Sequence, residues 1–151
     1  MHAPEEYICP ICIAIEGGES EETWIKQADI FYRDEFVLGI ISSKFIKGNE
    51  GHPLLVPTEH FENIYDMPAE FGHRIFDLTQ RVTLAIKDVR GCDGVTLLQN
   101  NEPAGDQHAF HYHLHIIPRF EGDHFHEELW HERKSEPEER VEYASALRRA
   151  L

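Results

Sequence analysis

The sequence predicts an α+β fold: a largely antiparallel sheet of about five strands, one long helix, and a second helix at the C-terminus. Three observations carry this. Short runs rich in β-branched and aromatic residues are separated by Gly, Pro, Asn and Asp; a single long stretch, 67–90, has helical apolar spacing; and the links between these segments are short. At 151 residues, 41% of them hydrophobic, the chain is expected to form one domain over 1–151 that buries its core without staples.

The elements follow in order. "GGESEETW" (17–24) reads as a polar, flexible stretch. "ADIFYRDEFVLGIIS" (28–42) holds two strands around a turn at Arg33-Asp34-Glu35. "KGNEG" (47–51) is a glycine-bounded loop, and "HPLLVP" (52–57) is a short strand ending at Pro57. The helix over 67–90 places Phe71, Ile75, Leu78, Val82 and Ile86 on one face, with Pro68 in its first turn and "GCDG" (91–94) stopping it. "VTLLQNN" (95–101) is a strand and "EPAGDQ" (102–107) a loop. "FHYHLHIIPRF" (110–120) is the last strand, ended or placed at an edge by Pro118. Ser135, with Glu138 three residues on, is expected to cap the terminal helix.

Charge and cysteine content exclude several classes. The formal charge is −14, with 14 Lys and Arg against 28 Asp and Glu, which argues against a long nucleic acid as partner. No run approaches the roughly 20 apolar residues of a membrane span. The N-terminus has no basic segment before its short apolar run, so no secretory signal is expected. An odd number of cysteines, three, fits reduced cytoplasmic thiols or a metal site better than a disulfide framework.

The histidine segment points to chemistry. On a strand, His111, His113 and His115 share one face, in steps of roughly 6–7 Å, while Tyr112, Leu114 and Ile116 face the core. A helix would scatter the imidazoles. Two readings are open at this level: a metal site, or a nucleophilic histidine flanked by helpers. "CPIC" adds Cys9 and Cys12, half of a tetrahedral zinc site; residues 1–8 are too few and too polar for the strand that a redox Cys-x-x-Cys requires.

"HYHLHII", with "GHPLLVPTEH" upstream, "LLQNNEPAGDQHAF" just before it and the N-terminal "CPIC", resembles the histidine triad (HIT) superfamily, and in particular its zinc-carrying bacterial nucleotide hydrolases and transferases. The resemblance runs over about residues 9–120 and leaves the tail uncovered. It implies attack at the α-phosphorus of a nucleoside monophosphate conjugate by the middle histidine, His113, through a nucleotidyl-histidine intermediate. It implies His115, His111 and His52 as catalytic helpers, and Asn100 and Gln107 near the phosphate and leaving group. It implies His60 and His111 as the partners of Cys9 and Cys12 in a structural Cys2His2 zinc site, and a homodimer in which Trp130 contacts the partner.

Two departures stand out. Where the family often has "GQS" or "GQT", this chain reads "DQH", placing His108 where a hydroxyl usually assists the leaving group. Where relatives carry a ribose-binding carboxylate, Ser42 stands. These motivate a second reading, a nucleotide-binding or adaptor module with little turnover. A third is a metal-dependent hydrolase using all three triad histidines as ligands. His124, His126 and His131 in the tail read as a solvated polar segment.

Overall fold

The structure is a computed structural model describing residues 2–19 and 23–151; Ser20, Glu21 and Glu22 of the expected polar stretch lie outside the described residues. After a short helix α1 (Pro10–Ile15), strands β1 (Ile30–Arg33) and β2 (Val37–Ile41) form a hairpin. Asp34 closes its turn, with Oδ1 accepting from the amides of Phe36 (2.8 Å) and Val37 (2.7 Å). A two-residue strand β3 (Lys44–Phe45) precedes β4 (Pro53–Pro57) and the long helix α2 (Ala69–Arg90). Then come β5 (Gly94–Gln99), β6 (Leu114–Arg119), a four-residue helix α3 (Phe125–Glu128), β7 (Arg133–Lys134) and α4 (Pro137–Ala150). The main sheet runs β1-β2-β4-β6-β5 with every neighbouring pair antiparallel, and β3 pairs with β7 in a separate ribbon.

Both faces of the sheet are covered, which explains why "VLGII" and "PLLVP" are continuous apolar runs rather than alternating ones. Val37, Ile41, Leu55 and Ile116 pack against Ile75, Leu78, Val82 and Ile86 of α2 and Ala144 and Leu147 of α4. Their sequence neighbours Leu38, Ile40 and Val56 point the other way, onto Ile11 and Ala14 of α1. Each such side chain, fully buried, contributes roughly 1.5–3 kcal/mol. The α2 positions expected to be buried, Phe71, Ile75, Leu78, Val82 and Ile86, are all buried, joined by Thr79 and Ala85. Gly91, at φ 60°, ends the helix in the left-handed conformation, its amide donating to Lys87 O at 3.0 Å.

Three expectations need correction. The ladder of β6 begins at Leu114, so His111 and His113 precede it; Tyr112 N donates instead to Phe61 O at 2.6 Å. Pro118 does not end β6, which runs on to Arg119, and β6 is not an edge strand, since it lies between β4 and β5 in the sheet order. The proline fits because β4 reaches only Leu114 and His115, and because Pro118 O accepts from Asn49 Nδ2 at 2.7 Å. In a strand the nitrogen of a residue points the same way as its carbonyl, so the missing N–H faces away from β5. Finally, the cap of α4 is Glu136 with Glu139, one residue beyond the expected Ser135 and Glu138. Ser135 is fully buried instead, its amide and hydroxyl both donating to Ser43 O.

Candidate functional site

On the face opposite α2 and α4, a cavity of about 840 Å³ opens between α1 and the Trp24-Ile25 segment, the 106–109 loop, and Leu129–Glu132 of the tail. Ile40, Leu54 and Ile117 from the sheet line it, together with His113 and His115. The expected alternation holds from Tyr112 to Ile116 but not for His111: Tyr112 and Ile116 are in the core, Leu114 packs against it, and His113 and His115 turn to the cavity, whereas His111 does not line it.

His113 is fixed by one short bond, its Nδ1 donating to the carbonyl of His111 at 2.7 Å. A carbonyl only accepts, so the proton sits on Nδ1 and the lone pair of neutral His113 is on Nε2. Burial lowers the His113 pKa, opposed by that hydrogen bond and by the charge of Glu132, so the ring is neutral at neutral pH.

His115 stands beside it, ring centroids 5.0 Å apart, and its Nδ1 is 3.0 Å from Nε2 of His52. His52 is completely buried, and burial, then the Arg90 and His113 charges, push it down to about 4. Burial also holds His115 well below its ordinary value, with the charges of His113, His52 and Lys44 adding to the effect. Among the described residues, buried Nδ1 of His52 has no hydrogen-bond partner. A buried N–H with no acceptor is the rarer defect, so this nitrogen is assigned as the bare one. The proton then lies on His52 Nε2 and is donated to His115 Nδ1, which leaves His115 with an Nε2–H donor. His52 owes its place to Gly51, whose φ is 71° and where a Cβ would come within 2.4 Å of the Tyr143 ring.

The other expected residues divide. Ser42, Asn100 and His108 line the cavity. Ser42 Oγ accepts from Lys44 N at 3.2 Å, and Asn100 Nδ2 donates to Asp106 O at 3.2 Å. Gln107, expected near the phosphate, is buried away from the cavity. Its Oε1 accepts from Glu102 N (2.7 Å) and its Nε2 donates to Glu62 O and Ala109 O, so it fastens the loop. His111 is also turned away: it reaches the site only through the carbonyl that holds His113. Trp130, expected to contact a partner, lines this chain's own cavity. Trp24, Lys44 and Glu132 line it too and carried no signal in the sequence.

The ring of His111 belongs to a second cluster. One ligand atom each from Cys9, Cys12, His60 and His111 lie within 4.8 Å of one another. Cys9 Sγ and Cys12 Sγ are each 3.5 Å from His111 Nδ1, and Cys12 Sγ is 3.3 Å from His60 Nδ1. A zinc tetrahedron with sulfur and nitrogen ligands at 2.3 and 2.0 Å has S···N edges of about 3.5 Å, so this donor set fits the ion. Nε2 of His111 is anchored on Pro57 O at 3.0 Å, as a metal-ligating imidazole requires. Burial, with Cys9 alongside, pushes the Cys12 thiol up to about 12, a position a divalent cation would reverse. Among the described residues no other group of three or more such side chains converges, so the triad histidines do not share a metal position.

Comparison with known proteins points to one family. The HIT domain family model matches residues 26–122. Protein hit of Bacillus subtilis is 35% identical over 126 residues, covering 83% of this chain and 79% of the relative. Adenylylsulfatase HINT3 of Arabidopsis thaliana is 31% identical over 115 residues, covering 76% of this chain and 54% of that protein. Among solved structures, a Zn-bound histidine triad family protein from Mycobacterium smegmatis superposes with a TM-score of 0.72 at 29% identity, covering 94% of this chain and 91% of that one.

Proposed function

The chain belongs to the HIT domain family, and from that premise we propose that it hydrolyses or transfers nucleoside monophosphates, attacking the α-phosphorus of a conjugate through His113. The observation that carries this reading is the 2.7 Å bond from His113 Nδ1 to His111 O, which leaves the Nε2 lone pair of a neutral imidazole beside the cavity. That lone pair forms the N–P bond as the bond from phosphorus to the leaving group breaks, the departing pair going with the leaving group. His108, exposed at the mouth, or solvent supplies a proton where the leaving group takes one. Water then displaces the imidazole, giving the nucleoside monophosphate and a proton and restoring the bare nitrogen. The His115 Nε2–H supplies a donor for a phosphate oxygen, with Ser42 and Asn100 as further polar groups along the bound conjugate.

Cys9, Cys12, His60 and His111 hold zinc in this reading. Four protein ligands leave no open position, so the ion pins α1 to the residues before β6 and stays out of the chemical step. The adenylylsulfatase relative supports adenylyl conjugates as substrates. In this reading the chain acts as a homodimer in the cytoplasm, with exposed Phe76 and Leu84 on α2 and Leu97 on the edge strand β5 open to a second copy. Among the described residues, no helix is long and apolar enough to cross a membrane.

Turnover of adenosine 5′-phosphoramidate tests the reading. His113→Ala is expected to lose roughly a thousandfold or more in kcat while AMP still binds, and removal of free metal by a chelator is expected to leave kcat intact. A variant retaining activity within tenfold would overturn the nucleophile assignment.

A further inference from the structure

The floor of the cavity is one row of side chains running across four strands. Register places Ile40 of β2 opposite Leu54 of β4, Leu54 opposite His115 of β6, and His115 opposite Leu98 of β5. All four line the cavity. Neighbouring strands are about 4.8 Å apart, so the row spans roughly 14 Å, with two apolar side chains on one side of His115 and one on the other.

Each end of the row belongs to a separate apolar cluster. Ile40 and Leu54 pack with Ile11 and Ile25, under α1. Leu98 packs with Ile46, Ile117 and Leu129. The cavity therefore has two apolar lobes, with His115, and His113 5.0 Å from it, between them. Leu129 comes from the tail, beyond the segment 26–122 that the family model matches. The tail is fastened in place: Ser135 Oγ donates to Ser43 O, and buried Arg140 donates to Ser135 O (2.7 Å), Trp24 O (2.8 Å) and Asp29 Oδ1 (2.9 Å).

The polar groups assign the two lobes. Ser42, at the ribose in the reading above, stands two residues beyond Ile40, so the nucleoside takes the lobe under α1. Asn100, at the leaving group, stands two residues beyond Leu98, and its Nδ2 donates to Asp106 O in the loop that carries His108. The second lobe is thus on the leaving-group side of the phosphate. The side chains that its cluster gives to the cavity, Ile46, Leu98, Ile117 and Leu129, are all aliphatic. A small or ionic leaving group leaves this surface against water, whereas an apolar ring or chain covers it.

We propose that the second lobe binds an apolar leaving group, so that the preferred substrates are nucleoside monophosphate conjugates of amines bearing an aryl or alkyl group, with Leu98 and Leu129 as specificity-determining residues. This rests on His113 attacking the α-phosphorus and names the substrate class of that site. As His113 Nε2 bonds to phosphorus, the P–N bond breaks with its electron pair on the amine nitrogen. That nitrogen takes a proton from His108 or solvent and departs as the free amine.

The test compares kcat/KM for two adenylyl phosphoramidates, one N-methyl and one N-phenylethyl, so that the leaving nitrogen is an alkylamine in both. It is run on the full chain and on its Leu98→Asn and Leu129→Asn variants. The unmodified chain is expected to prefer the phenylethyl substrate by about tenfold or more, and each variant to lose about threefold or more of that preference. A merely structural disturbance would slow both substrates alike and leave their ratio unchanged. No preference in the unmodified chain, or a preference that either variant keeps in full, would overturn the proposal while leaving His113 in place. Absence of turnover of both substrates by the unmodified chain would instead reject the nucleotidyl-transfer reading, and the leaving-group proposal with it.

Discussion

At the scale of single residues, the site depends on imidazoles that burial keeps neutral. His52 shows the consequence for stability. Its folded-state pKa, about 4, lies below the ordinary 6.5, so between these values the unfolded chain binds the extra proton. Stability from this group is complete above about pH 6.5 and is lost progressively as the pH falls to about 4, by roughly 3 kcal/mol. Urea unfolding from pH 7 to 4.5 should show this decline, and His52→Asn should flatten it. An equal decline in both proteins would remove His52 as its source. Much of this scale was legible in the sequence, because period-two alternation placed Tyr112 and Ile116 in the core and His113 and His115 at the cavity. What could not be read were the bonds that consume a side chain. Nothing about Gln107 in a linear sequence announces that Glu102 N, Glu62 O and Ala109 O take its whole amide.

At the scale of elements, two contacts between distant segments hold the cavity walls. One is Arg140 of α4 on Asp29, both side chains almost completely buried. Burying such a pair is itself a weak source of stability, but removing one partner strands the other charge. Asp29→Ala is therefore expected to cost about 3–5 kcal/mol in denaturant unfolding. A loss below about 1 kcal/mol would show that the guanidinium is satisfied by carbonyls alone. The other contact is the Cys9, Cys12, His60 and His111 cluster tying α1 to the histidine segment. Elemental analysis should find zinc bound to the purified chain and lost in Cys12→Ser, with a thermal midpoint lower by about 5–10 °C. Equal zinc content in the two proteins would reject the cluster as the site. "CPIC" made half of this cluster visible in the sequence; the ion pair gave no such signal, since a lone Asp and a lone Arg 111 residues apart have no spacing to read.

At the scale of the molecule, the sheet carries α2 and α4 on one face and α1 with the histidine cavity on the other, and the same short strands serve both. The fold was legible because long α2 and the apolar runs of β2 and β4 dominate the local pattern. The two-residue strands β3 and β7 were not, being too short for any period to show, and with them went the wall formed by Leu129, Trp130 and Glu132. The central claim is covalent catalysis at His113, and intact-protein mass spectrometry after rapid mixing with an adenylyl phosphoramidate tests it most directly. The account predicts a transient adduct of one adenylyl group on the unmodified chain and none on His113→Ala. Product formation by His113→Ala, or an adduct that persists in it, would contradict the claim.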